Sequence, residues 1–302
     1  VKHNIIYHNR DLDGFCSGAI AKDFLLSCKI PYADINMIGY HYGDPMPELE
    51  YGSTTYMLDV SFTPEQMLDL SAHVRLVWYD HHKSAIEDSV THGYNNIPGV
   101  RRVGDSASLI AFQSMFVGCK IPEIVYWVDR YDVWKKSDPL KPWISWNDVM
   151  HAQYGMRSNF ADPRCDDAFD YWRLAFNEDF MQSILEEGRT LFEFEENQNA
   201  IRCKRAFDLE FQGLKFACIN AFPAGSSVLN AYASSYHDAL MVFSFNGATK
   251  MWEVSMYKNE LNSESYDLSE IAKEYGGGGH ASACGFSVKD IIAVIGYATH
   301  PA

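Results

Sequence analysis

The stretch Trp78-Tyr79-Asp80-His81-His82-Lys83-Ser84 concentrates more reactive side chains than any other in the chain. A carboxylate and two adjacent imidazoles close a short apolar run, Val74 to Tyr79. Neighbouring imidazoles are costly in a core. They fit the C-terminal end of a buried strand, where side chains face a crevice. There one imidazole can hold a divalent metal while the other faces substrate. Two exposed loop histidines beside a turn Asp would read the same in isolation, so the partners decide. His8-Asn9-Arg10-Asp11-Leu12-Asp13-Gly14 lies between the apolar run Ile5-Ile6-Tyr7 and a stretch of helical spacing, Phe15 to Cys28. His8, Asp11 and Asp13 would share one small volume, unless an Asp serves only as a helix cap. Gly14 permits a tight backbone, and the following helix start can meet a phosphate. Asp59 ends the run Thr55-Tyr56-Met57-Leu58. Asp129 and Asp132 follow the run Ile121 to Trp127, and Asp129, directly behind it, is the preferred fourth carboxylate. Arg130 is a candidate phosphate contact, with a salt bridge as its ordinary alternative.

These residues need strand ends to position them. Runs with strand character alternate with helical ones through the first half. That argues for an α/β fold with a mainly parallel sheet flanked by helices. Thr63, Pro64 and Gln66 open a helix as a capping box with proline at its first position. Asp105 or Ser106 caps another helix, running to about Val117. Residues 135–148 read as an irregular loop, and 167–199 as helical. From about Lys204 the pattern changes to hairpins, one around Gly213 and one around Asn246-Gly247. The expected domains are therefore 1–185, a helical linker 186–205, and a smaller α/β domain 206–302.

A short helix from Asp267 runs into Gly276-Gly277-Gly278-Gly279-His280. Glycine loses the most entropy on folding. Four in a row suggest a backbone that must approach a phosphate, rather than one shaped by packing. His280 could then donate to a phosphate oxygen.

Composition narrows the function. With 302 residues, 47% of them hydrophobic, the chain can form two domains and a large core. No apolar run reaches membrane-spanning length, so no membrane role is expected. Seven widely spaced cysteines without a Cys-x-x-Cys suit reduced thiols in a cytoplasm. The formal charge of −15 disfavours a long duplex, whose backbone needs a basic track. A small anionic substrate is favoured.

Taken in order, these motifs resemble the DHH phosphoesterase superfamily. The likeness is closest to its branch with a C-terminal DHHA1 domain, which includes nanoRNases, RecJ-type exonucleases and dinucleotide phosphodiesterases. The resemblance spans both halves and implies an active site in the cleft between the two domains. It implies two divalent ions, manganese before magnesium or cobalt. His8, Asp11 and Asp59 would hold one, and Asp13, Asp59, His81 and Asp129 the other. His82 would face the scissile phosphate and Asp80 would orient an imidazole. Gly277, Gly278, Gly279 and His280 would grip substrate. Tyr257 stands where the family often has arginine, which leaves Lys258 as a substitute clamp. Two ions can activate water and neutralise charge at phosphorus. The implied activity is hydrolysis of short oligonucleotides or dinucleotides to mononucleotides. Cyclic (di)nucleotides and 3′,5′-bisphosphonucleosides are alternative substrates, and a nucleotide-binding sensor is the non-enzymatic alternative. A homodimer is compatible with all of these.

Overall fold

The run Ile5-Ile6-Tyr7 lies inside the inner strand β1, His3–His8, of a four-stranded sheet. The computed structural model describes residues 1–302 apart from 140, 177–179, 223–224, 263, 265 and 297–302. Its chain divides into two compact units, Val1–Phe192 and Glu193–Ala302.

In the first unit β1 pairs in parallel with β2, Ile35–Tyr40, on one side and β3, Thr54–Leu58, on the other. Strand β4, Arg75–Tyr79, adds to β3, also in parallel, giving the order β2-β1-β3-β4. Helix α1, Leu12–Ser27, carries the chain from β1 outward to β2. Helix α2, Pro64–His73, carries it from β3 the other way to β4, opened by the Thr63–Gln66 capping box. Connections therefore leave β1 and β3 in opposite directions. Between the C-terminal ends of those two strands lies the switch point at which open α/β sheets bind ligands.

Strand alternation gives the sheet two buried faces. Ile5 and Tyr7 join one core with α1, and Ile6, Met57 and Trp78 join another against α2. Glycines set the α1 approach. A Cβ on Gly18 would meet the Tyr7 ring at 2.8 Å, and one on Gly14 would meet the His8 carbonyl oxygen at 1.9 Å. After α3, Lys83–Thr91, come α4, Ala107–Met115, and α5, Glu123–Asp132. Helices α6, Trp146–Asn159, α7, Asp166–Ala175, and α8, Met181–Arg202, follow. Helix α8 crosses the division between the units.

The second unit holds a six-stranded mixed sheet ordered β5-β6-β7-β8-β10-β9. Its strands are β5, Phe207–Phe211, β6, Leu214–Asn220, β7, Ala239–Asn246, β8, Met251–Lys258, β9, Gly278–His280, and β10, Ala283–Val288. The β5–β6 hairpin turns at Gln212 and Gly213, both at positive φ. Strands β7 and β8 pair antiparallel around the Asn246-Gly247 turn. Helix α9, Leu268–Glu274, is capped by Asp267 and covers one face, with Leu268 and Ala272 in that core.

The glycine run is explained by packing more than the sequence suggests. Gly276 sits at φ +74. A Cβ on Gly277 would meet the Gly285 carbonyl oxygen at 2.1 Å. Gly279 has φ +132 and would press on Ala283 and Cys284. Gly276 and Gly278 both border open space, and of these two only Gly276 is held by its backbone angle. The expectation that packing plays no part is thus corrected for Gly277 and Gly279, while Gly276 is needed for its positive φ. His280 ends β9 as backbone, while its side chain lies outside the described part of the structure. No helix among the described residues is long and apolar enough to cross a membrane, and the seven cysteines are free.

These contacts predict opposite outcomes for neighbours. Gly277→Ala should lose about 1–3 kcal/mol of stability through overpacking. Gly278→Ala should stay within about 0.5 kcal/mol of the parent. Urea unfolding of both variants checks this, and equal losses would contradict the packing account.

Candidate metal centre

Strand ends and helix starts deliver the polar side chains. Asp11 is the N-cap of α1, and its Oδ1 accepts the Gly14 amide at 2.9 Å. Its Oδ2 lies 2.6 Å from His8 Nδ1 at the end of β1. So Asp11 caps the helix and faces the site at once. Asp59 follows β3 at φ +58, a left-handed backbone that Asp tolerates better than most side chains. Its amide donates to the Tyr79 carbonyl at 3.0 Å. One Asp59 oxygen is 3.6 Å from His8 Nδ1 and the other 3.2 Å from His81 Nε2.

His81 Nε2 also lies 3.4 Å from Asp132 Oδ2 and 3.9 Å from Asp13 Oδ2. Asp13 is held by two amides at the start of α4, Ala107 at 2.8 Å and Ser108 at 2.9 Å. A helix N-terminus suits such a carboxylate. Three clusters therefore offer convergent ligand atoms: His8, Asp11 and Asp59; Asp13, His81 and Asp132; and Asp59, His81 and His82. Asp59 and His81 each belong to two of them, so the sets are joined rather than separate.

Asp80 is fully buried and orients the loop. Its Oδ1 accepts from the His81 and His82 amides and lies 2.7 Å from His82 Nδ1, while its Oδ2 accepts from Trp78 Nε1. That contact engages His82 Nδ1 and leaves Nε2 for another partner. This is the orienting geometry expected of Asp80.

The electrostatics show a site short of positive charge. Burial, then the charge of Asp13, pushes the Asp59 carboxyl well above its usual range. Burial, then Asp13 and Asp59, does the same to Asp132. Burial alone would lower His8, but hydrogen bonds and charge from Asp11 and Asp59 outweigh it and hold the imidazole up at about 10. His82 is likewise raised by Asp80 against its burial. Asp132 Oδ2 is buried without any hydrogen-bond partner. Mixed carboxylate and imidazole donors around such an oxygen fit divalent ions of the manganese type.

Two sequence expectations are corrected. Asp129 does not join the clusters. Its Oδ1 accepts the Ser106 amide at 2.7 Å and its Oδ2 binds Lys135 Nζ at 2.8 Å. Asp132, one helical turn on, joins a cluster with Asp13 and His81 instead. The segment is helix α5, so direct succession to an apolar run carries no meaning there. Arg130 is not a phosphate contact either. It is fully buried, and its guanidinium donates to the carbonyls of Lys135, Lys136 and Ile144. The sequence reading also missed His41, which follows β2. Its Nδ1 is 3.4 Å from His8 Nε2. Lys135 was missed too, and it bridges Asp129 and Asp105. A carboxylate-rich neighbourhood with one lysine was the available signal. Gly277, Gly278, Gly279, His280 and Lys258 belong to the second unit, where Lys258 ends β8.

A family model described as the DHHA1 domain matches residues 224–295. No curated protein matches the chain in sequence. Among solved structures, a pGpG-specific phosphodiesterase, PggH, from Vibrio cholerae is 14% identical. It superposes with a TM-score of 0.57, over 97% of this chain and 95% of that one. The DHH domain of a protein described as a member of the s1p family of ribosomal proteins is 12% identical. Its TM-score is 0.60, over 95% of this chain and 83% of that one. At such identities the likeness is one of fold, and it spans nearly the whole chain. Residues 224–295 thus carry a DHHA1 domain, and the chain as a whole shares its fold with these structures.

Asp132→Asn should remove a ligand and weaken manganese binding by more than the about 10–100-fold typical of outer partners. Asp129→Asn should fall within that smaller range, because it loosens α4 rather than removing a donor. Calorimetric titration of both variants separates them. The sign of the pH dependence follows from His8. A ligand with a raised pKa must shed its proton to bind metal. Affinity should therefore rise with pH between about 6 and 9, by about tenfold per unit for one displaced proton. Matching proton release, read in buffers of different ionisation enthalpy, checks the cause.

Proposed function

We propose that this protein is a divalent-metal phosphodiesterase that hydrolyses short oligonucleotides or dinucleotides to mononucleotides. The carrying observation is the joined set of ligand clusters that share Asp59 and His81. Divalent ions bound there would supply a water activated near neutral pH and charge to offset that developing on phosphorus. His8, Asp11 and Asp59 would hold one ion, and Asp13, Asp59, His81 and Asp132 a second.

The chain's own residues account for the remaining steps. His82, hydrogen-bonded through Nδ1 to Asp80, keeps Nε2 as a donor to a phosphate oxygen. Its raised pKa favours the protonated form that can donate. Asp80 fixes the ring and both neighbouring amides, so it acts by positioning. The second unit would add phosphate contacts from Gly277, Gly278, Gly279, His280 and Lys258, a reading that rests on the family resemblance. The acidic chain still argues for a short substrate over a long strand. A protein of the same fold is described as acting on pGpG, which makes that dinucleotide the first substrate to assay.

The test is manganese-dependent hydrolysis with products resolved. The panel holds pGpG, a five-residue RNA, a long single strand, cyclic mono- and dinucleotides and a 3′,5′-bisphosphonucleoside. Release of mononucleotides from the short linear substrates is expected to be fastest. Asp59→Asn keeps the left-handed backbone feasible, because Asn tolerates it as Asp does. That variant should lose at least about a thousandfold in rate, beyond the about 10–100-fold expected for Asp80→Asn. Near-parental turnover by Asp59→Asn would sink the assignment.

A further inference from the structure

A cavity of about 250 Å³ lies in the first unit beside the ligand clusters. Asp11, Asp13 and Asp132 contribute to its lining, so it is continuous with the proposed metal centre. Much of its wall is apolar, with Phe15, Val128 and Phe160 among the lining side chains. Drug-sized ligands occupy about 300–1,000 Å³, so this space suits one ring system and not a dinucleotide.

Helix α6 supplies two polar groups to the same lining, Gln153 and Arg157, four residues apart on one helix face. Gln153 is 1% exposed, and its side-chain amide nitrogen has no hydrogen-bond partner. Buried polar groups in native folds are almost always paired. An unpaired amide buried in the wall of a cavity marks a place where a ligand acceptor belongs. Its position is set by backbone contact. A Cβ on Gly155 would meet the Ile184 carbonyl oxygen of α8 at 2.1 Å, so α6 is fixed closely against α8 within this unit. Arg157 donates to the Tyr131 hydroxyl at 2.9 Å, and its guanidinium carbon is 5.1 Å from the Tyr131 ring centroid, which holds it in place.

The ligand's charge can be read from the same wall. Three carboxylates and two arginines, Arg10 and Arg157, line it, so the wall carries mixed charge and a neutral planar ring fits it without needing a counter-ion. Apolar side chains suit its faces and the amide and guanidinium suit acceptors on its edge, as in protein readout of bases.

We propose that this cavity is a nucleobase pocket. It takes the ring of the nucleotide whose phosphate is held at the carboxylate and histidine clusters, and Gln153 donates to an acceptor on the ring edge. The inference rests on the phosphodiesterase reading above and adds the first unit's own contribution to substrate choice.

The experiment is calorimetric titration of the full chain, saturated with manganese, with four nucleoside 5′-monophosphates and with ribose 5-phosphate. At least one mononucleotide should bind about tenfold or more tighter than ribose 5-phosphate, which is about 1.4 kcal/mol. Gln153→Met, similar in shape but without the amide, should shrink that ratio by at least about threefold at unchanged manganese stoichiometry. Equal binding of ribose 5-phosphate and all four mononucleotides by the parent protein overturns the pocket, and this arm needs no variant to fold. Manganese uptake with binding blind to the base overturns this inference alone. A parent protein that takes up no manganese overturns the metal-centre reading and the pocket together.

Discussion

Crowding of like charge is the constraint around which the first unit is built. Asp11, Asp13, Asp59 and Asp132 converge on His8 and His81. Two unit charges 4 Å apart repel by about 4 kcal/mol at an effective dielectric near 20. The fold offsets part of this with backbone dipoles. Asp13 rests on the first amides of α4 and Asp11 on the first turn of α1. Asp132 keeps an oxygen with no hydrogen bond, 3.4 Å from His81 Nε2. What the backbone leaves unbalanced is the charge that a bound cation would balance. Affinity for such a cation would then be a property of the whole arrangement rather than of any one side chain.

A second layer of charge holds the first in place. Lys135 links Asp129 to Asp105, and Asp105 also accepts from Arg102. Asp129 in turn binds the Ser106 amide just ahead of α4. The end of α4 that carries Asp13 is therefore fixed from behind. Two aspartates one turn apart on α5 have separate duties for this reason. The one that a lysine and an amide reach is scaffold, and the one that faces His81 without a hydrogen bond joins a ligand cluster.

Much of this was legible in the chain. Strand ends followed by Asp11, Asp59 and Asp80-His81-His82 could be read from apolar runs and helix signals, because parallel strands put their C-terminal ends on one edge. The choice of Asp129 over Asp132 failed because Ile121 to Trp127 is apolar enough for either a strand or a helix. In a helix the decisive quantity is which neighbour arrives, and Lys135 does not show that in sequence. Arg130 failed for the same reason: three carbonyls from the loop behind α5 satisfy it. Gly277 and Gly279 were misjudged because their constraint is the close approach of β10, a partner at no fixed spacing. His41 lies after β2, a strand whose pattern Ile35 to Tyr40 carries no reactive residue to draw notice.

The backbone at Asp59 ties these features into one device. A side chain that simply continued β3 would alternate between the two faces of the sheet. The left-handed turn at φ +58 breaks that alternation and sends the carboxylate to the edge shared by β1 and β4. Non-glycine residues held there carry some strain, so neighbours must hold the turn. The hold is the bond from the Asp59 amide to the Tyr79 carbonyl, the residue just before Asp80-His81-His82. The ligand common to two clusters is thus clamped by the strand that carries the other. Two motifs more than twenty residues apart in sequence therefore act as a single structural unit, and a change that loosens β4 would displace Asp59 as surely as one within β3.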